Sequence, residues 1–206
     1  MSTLLETRRR PGQDRSRATF ERILDAAADL LEEAGWDGFN TNLLAERAGL
    51  TVPAVYRYFP NKLAVVSTLA ERVIDEWNQW LADYTAAAMG TQDPVEVWSD
   101  FVDVYVRRIR GTKGGLAVRR AMGASPPLRE LDRQDSEAIA RRLAPLLRHH
   151  NRELSVAQAR DAARVLIESA VALTDVAFDT SPERARRLID QLKAMQRAYL
   201  TELLRR

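Results

Sequence analysis

The sequence predicts an all-α fold of about nine helices, a small N-terminal three-helix unit followed by a larger C-terminal helical one. Three observations predict it. Apolar residues recur at intervals of three and four almost throughout, and nothing alternates as a strand would. Ala, Leu, Arg and Glu abound, a bias toward good helix formers. Glycine (9) and proline (8) are sparse and fall mainly between the periodic stretches, where they act as stops and caps.

The first helix carries Phe20, Ile23, Leu24, Ala27, Leu30 and Leu31 on one face, and Gly35 is placed to end it in a left-handed cap. Asn40 suits the N-cap of a short second helix, where its side chain accepts a backbone N–H, and Leu44, Ala45 and Ala48 share a face. Gly49 breaks that helix. Thr51 caps a third, with Pro53 in the first turn where a missing N–H costs little. Pro60 ends the third helix and Asn61 caps the fourth, a long one with Val66, Leu69, Val73, Trp77, Trp80 and Tyr84 along one stripe. "MGTQDP" breaks it at about residue 90. The fifth carries Trp98, Phe101, Val102, Tyr105 and Ile109 up to "GTKGG", and a short sixth runs to "MGASPP". Leu131, Ile139, Leu143, Leu146 and Leu147 mark the seventh, and the last two start near Ser155 and Ser181-Pro182. There is no internal repeat and no low-complexity linker. The expected division is residues 15–66 for the N-terminal unit and 67–206 for the rest.

Composition narrows the function. The chain has 206 residues, 46% hydrophobic and 29% charged, which is a folded rather than a disordered balance. A net charge of +2 supports no nucleic-acid claim by itself, so any basic footprint depends on where the charges sit. The absence of cysteine excludes a disulfide framework and a thiolate metal site. "MSTLLETRRRPGQ" reads as a polar tail rather than a signal peptide. No run approaches the roughly 18 apolar residues of a membrane span. The expectation is a cytoplasmic protein with no cofactor, no metal and no membrane partner.

The stretch "AGLTVPAVYRYFPNK" joins the second and third helices by a three-residue turn beginning at Gly49, a helix-turn-helix arrangement. Val55 and Phe59, four apart, share the buried face. Thr51, Val52, Pro53, Ala54, Tyr56 and Arg57 point outward. A helix in the major groove reads bases mainly with its N-terminal residues while its flanks hold phosphate. Tyr56 and Tyr58 are therefore expected to face DNA, and Lys62, in the first turn of the fourth helix, adds charge there. An ordinary amphipathic surface is the alternative for "YRYF" taken alone.

Its context decides. "ILDAAADLLEEAGWDGFNTNLLAERAGLTVPAVYRYFPNKLAVV" resembles the N-terminal domain of the tetracycline-repressor (TetR) family of bacterial transcriptional regulators, through Ile23-Leu24, Ala26-Ala27, Gly35, Leu44-Ala45, Ala48-Gly49-Leu50, Val55-Tyr56, Tyr58-Phe59 and Asn61-Lys62. The resemblance covers roughly residues 15–66. Two departures bear on the operator sequence. Ala54 stands where the family usually has Thr or Ser, and Asn42, after Thr41, occupies a position where Arg is frequent. The resemblance implies a homodimer that represses transcription at palindromic operators in double-stranded DNA and is released by a small molecule in its C-terminal domain. It implies no enzyme. The alternative reading is a helical small-molecule-binding or scaffolding protein whose helix-turn-helix docks another protein.

Other features are weighed with it. Arg8, Arg9, Arg10, Arg15 and Arg17 suit an arm reaching phosphates or the minor groove, or a solvated tail; Arg15 and Arg17 are the better placed. Trp77, Trp80, Tyr84, Trp98, Phe101 and Tyr105 suit an apolar effector pocket or plain core. "GTKGG" lacks phosphate-loop spacing, and His149-His150 have no third ligand. Glu168 and Asp175 suit solvent better than a ligand. On the eighth helix Ala159, Ala163, Leu166, Ala170, Leu173 and Ala177 form a seam of mostly small residues, beside a bulkier one of Ile167, Val171, Thr174 and Phe178. The small seam, with Leu192, Met195 and Tyr199 of the ninth helix, is expected at a four-helix dimer interface. The alternative packs it against the subunit's own helices.

Overall fold

A computed structural model of the chain describes Thr7, residues 14–88 and residues 93–205. Nine helices form among the described residues, with no strand: α1 (Asp14–Gly38), α2 (Thr41–Arg47), α3 (Val52–Tyr56), α4 (Lys62–Ala88), α5 (Pro94–Gly111), α6 (Gly115–Ala124), α7 (Pro126–His150), α8 (Val156–Phe178) and α9 (Pro182–Leu203). The Arg8–Arg10 triplet and most of the expected break near residue 90 lie outside the described residues.

Local chemistry sets the helix ends. The regular part of α1 stops at Gly35 (φ 63°, ψ −174°), after which a short helical tail carries the chain to Gly38. Ser155 starts α8 with a reciprocal cap: its hydroxyl accepts the Gln158 N–H at 3.2 Å, and the Gln158 side chain accepts the Ser155 N–H at 2.9 Å. Ser181 caps α9 ahead of Pro182.

The chain divides into two compact units: residues up to Glu76 with Arg110–Asp132, and Trp77–Ile109 with residues from Arg133 onward. The unit that holds the helix-turn-helix is thus larger than residues 15–66. It takes in the start of α4 and all of α6. Its core gathers Ile23, Leu24, Leu31, Phe39, Leu44, Val55 and Phe59, all buried. Phe20 stacks on Phe59 at 5.0 Å between ring centroids and meets Tyr58 edge-on at 6.1 Å. An acidic side of α1 then ties in its neighbours. Arg72 of α4 donates to Glu21 at 3.3 Å and Asp25 at 3.0 Å; Lys113 pairs with Asp29 at 2.8 Å; the Gly114 N–H donates to Glu32 at 2.7 Å.

Exposed ion pairs of this kind contribute little singly. Close approach is what fixes the α5–α6 turn on α1. Gly114 has φ 74°, and a Cβ there would lie 2.9 Å from the Ala28 Cβ and 3.4 Å from its Cα. Gly114→Ala should therefore destabilise the first unit by about 2–4 kcal/mol, left-handed strain and overpacking combined, lowering its urea midpoint.

In the second unit α8 and α9 pack along each other. Its core joins Leu81, Trp98, Phe101, Leu143, Leu147, Ala163, Leu166 and Leu200. A buried polar knot runs through it. The Trp98 indole donates to Gln196 Oε1 at 2.8 Å, and Gln196 Nε2 donates to the Leu166 carbonyl at 2.8 Å and the Ser169 hydroxyl at 2.9 Å. Every heavy polar atom of that glutamine side chain is satisfied, so the burial is tolerable and fixes the register of α5, α8 and α9.

This packing corrects the expected dimer seam. Ala163, Leu166, Ala170 and Leu192 are buried in their own unit; Ala170 packs with Val102 of α5 and Leu192 of α9. Their small side chains admit the subunit's own helices. Ile167 and Thr174 of the bulkier seam are buried too. Leu173 and Tyr199 are half-buried, and Met195 is exposed. The open line on α8 runs instead through Val165 (52% exposed), Ala172 and Val176 (48%), with Met195 (48%) on the neighbouring α9.

Candidate nucleic-acid interface

The second and third helices are fixed end by end. Asn40 Oδ1 accepts the N–H groups of Asn42 at 3.1 Å and Leu43 at 3.0 Å, as its N-cap position demands. Gly49, at φ 62°, supplies the left-handed turn, and the Leu50 N–H returns to the Ala45 carbonyl at 2.9 Å. Thr51 then caps α3 through the Ala54 N–H at 3.4 Å. Asn61 starts α4 by accepting the Ala64 N–H at 2.8 Å.

With its ends set, α3 divides into two faces. Val55 is fully buried, as is Phe59 just past the helix. Thr51, Pro53, Tyr56 and Arg57 are exposed, and Val52 and Ala54 half-buried. From α2, Asn42 is exposed and Thr41 half-buried. The Thr41 hydroxyl hydrogen-bonds the Tyr56 hydroxyl at 3.2 Å, so the two helices present their hydroxyl groups as one unit. No residue from Thr51 to Lys62 is acidic. Arg17 is exposed on α1.

Tyr58 is a correction. It is only 7% exposed: its ring lies against Phe20, and its hydroxyl bonds the Ser16 hydroxyl at 3.1 Å. It anchors α1 rather than facing outward. Lys62 is half-buried; its ammonium donates to the Trp36 carbonyl at 3.3 Å and sits 4.2 Å from the centre of the Trp36 ring. Arg47 forms a two-pronged bond with Glu33, 2.7 Å for one prong, which holds the Glu33 carboxyl below its usual range. Two residues were missed by sequence reasoning. Leu43 stands 42% exposed beside Asn42, and its signal was an apolar residue off the Leu44–Ala48 face. Trp36 gave no signal, because its contact with Lys62 is long-range.

In the second unit the six expected pocket aromatics form one contiguous set. Phe101 lies 5.1 Å from Trp98, 5.5 Å from Trp80, 5.6 Å from Tyr84 and 6.3 Å from Tyr105, and Tyr105 meets Trp77 at 6.2 Å. Trp98 and Phe101 are core; Trp80, Tyr84 and Tyr105 pack against them half-buried. Tyr84 donates to the Val97 carbonyl, and burial, with the Asp100 carboxylate second, pushes its phenol up to about 12. It stays neutral across the working range of pH. Among the described residues no group of three or more His, Cys, Asp or Glu could hold a metal ion, and no helix is long and apolar enough to cross a membrane.

Comparison with known proteins bears on both units. The family model for bacterial regulatory proteins of the tetR family matches residues 23–69, and that for a Tetracyclin repressor-like C-terminal domain matches residues 93–200. The tetracycline repressor protein class A from transposon 1721 of Escherichia coli is 48% identical over 54 residues, 26% of this chain and 25% of that protein. The HTH-type transcriptional regulator EthR of Mycobacterium tuberculosis (strain H37Rv) is 33% identical over 115 residues, 56% of this chain and 50% of that protein. The chain thus matches between a quarter and half of the length of these curated relatives. A TetR-family transcriptional regulator from Streptomyces coelicolor superposes with a TM-score of 0.66 at 26% identity, over 90% of this chain and 99% of that one. One from Pectobacterium atrosepticum shares the fold at a TM-score of 0.71 and 17% identity, over 95% and 99% of the two chains.

Proposed function

This chain belongs to the TetR family of bacterial regulatory proteins, and from that premise we propose that it is a homodimeric repressor that binds a palindromic operator in double-stranded DNA and is released by a small apolar or amphipathic effector. The observation that carries the DNA reading is the outward face of α3, with Tyr56 tied to Thr41 on a helix-turn-helix whose inner face is buried. Thr51, Val52, Pro53, Ala54 and Asn42 read base edges, with Leu43 beside them. Tyr56, Arg57, Lys62 and Arg17 hold phosphate. Sequence preference comes from the first group and salt-dependent affinity from the second. The family is one of transcriptional regulators, and the reading requires no catalysis and no cofactor. Its place of action is the cytoplasm, where the DNA lies.

The effector reading rests on the aromatic set around Phe101, which offers apolar surface, neutral Tyr84 and the Arg108 guanidinium 5.1 Å over Trp80. A molecule that favours the DNA-free form must bind more weakly when operator is present. The dimer reading moves to the exposed line Val165, Ala172, Val176 and Met195. Reading a palindrome's two half-sites requires two α3 helices about one DNA turn, some 34–36 Å, apart, and hence two copies.

Selection of bound DNA from a random pool tests the reading. Enrichment of a palindrome is expected, with affinity falling steeply as salt is added. Lys62→Ala should weaken binding to every sequence and flatten the salt slope by about one. No enrichment, with no salt dependence, would leave the helix-turn-helix as a docking element for another protein.

A further inference from the structure

We propose that Trp36 is the positioning residue for the phosphate contact of Lys62, holding the ammonium in place before DNA arrives. The inference rests on the DNA-binding reading above and adds to it a residue that touches no DNA.

Lys62 is the first residue of α4, and the Asn61 cap fixes its backbone. Its side chain is a flexible four-carbon stem, which loses rotamer freedom if it must be ordered on docking. Here it is ordered already. One N–H donates to the Trp36 carbonyl at 3.3 Å, and the ammonium lies 4.2 Å from the indole centroid, within the range of a cation–π contact. Tryptophan offers the strongest ring face for that purpose. An ammonium carries three hydrogens, and the carbonyl engages one. Lys62 is half-buried rather than sealed, which leaves its other two hydrogens for a phosphate.

The backbone that carries the ring is fixed on both sides. Trp36 follows Gly35, whose φ of 63° and ψ of −174° turn the tail of α1 out of the regular helix. Phe39, only 1% exposed, anchors the other end, and its N–H bonds the Gly35 carbonyl at 3.1 Å. A glycine turn and a buried phenylalanine thus place an aromatic face beneath one cation. A lysine that merely closed the end of α1 would need the carbonyl and not the ring.

The test uses the full chain and a mixed-sequence 24-base-pair DNA duplex, with binding followed by anisotropy across a salt series and helicity and melting checked for each variant. Trp36→Leu should weaken binding about two- to fivefold at low salt, the strength of one exposed cation–π contact, and flatten the salt slope toward that of Lys62→Ala. Trp36→Phe should recover most of the loss. In the Lys62→Ala background Trp36→Leu should change nothing further. If Trp36→Leu loses helicity, the Trp36→Phe and Lys62→Ala cycle decides instead, and independent effects of the two changes overturn the proposal. Unchanged affinity and slope in folded Trp36→Leu, while Lys62→Ala lowers both, overturns it and leaves the DNA reading standing. A wild type that binds no duplex overturns both.

Discussion

Arginine at position 170 should unfold the second unit rather than split a dimer. Ala170 is 2% exposed and sits where α5, α8 and α9 converge, against Val102 and Leu192. Leu173 and Ile189 pack on the same cluster, so its surroundings are apolar side chains. A guanidinium there is both too large and uncompensated. Overpacking costs about 1–3 kcal/mol. An unpaired buried charge adds about 3–5 kcal/mol. Together they approach the whole stability of an ordinary domain, about 5–15 kcal/mol. The expected result is loss of helical signal and a solvent-exposed tryptophan spectrum, because Trp98 is buried in the other core cluster of the same unit and bonded to Gln196 of α9. Ala172→Arg, two residues along and exposed, is the matched control and should leave the unit folded. A folded, monomeric Ala170→Arg protein would show that this position faces outward after all.

That contrast shows which parts of the molecule sequence can carry. Caps and turns are written in neighbouring residues, so Asn40, Gly49, Thr51, Asn61, Ser155 and Ser181 act where their chemistry predicts. The helix-turn-helix is legible for the same reason. Its buried residues recur at four, and its turn needs a left-handed residue that only glycine adopts readily. Direction over long range is not legible. Tyr58 stands in one run with the exposed Tyr56 and Arg57, but α3 has ended, and Ser16 and Phe20 of α1, some forty residues earlier, draw it inward. The small seam of α8 predicts close approach of another helix, and Ala170 packs with Val102 and Leu192. Nothing in its spacing says whether the approaching helix is its own α9 or a partner's. Likewise the reach of the first unit to α6 depends on Gly114 meeting Ala28, a contact across more than eighty residues.

Val176→Arg should convert the protein to monomers that stay folded and lose palindrome binding. Val165, Ala172 and Val176 follow one another at seven and four along α8, the spacing of one helix face. Val165 and Val176 keep about half their surface open, and Met195 does so on the adjoining α9. Apolar side chains of this size gain about 1.5–3 kcal/mol each when fully buried, so a second copy covering this line supplies a driving force that the isolated subunit leaves unused. Two-fold symmetry sharpens the test. The same patch serves both subunits, so one substitution places two guanidinium groups in a single interface. On DNA, coupling two half-sites raises affinity about 10²–10⁴-fold over either alone. Monomers should therefore lose about that factor on a palindrome while holding a single half-site unchanged. Light scattering reads the mass, and helical content should stay near wild type because Val176 is open to solvent in the subunit, while melting falls by what the dimer contributes. A Val176→Arg protein that remains a dimer and grips the palindrome as before would place the two-fold axis on another face.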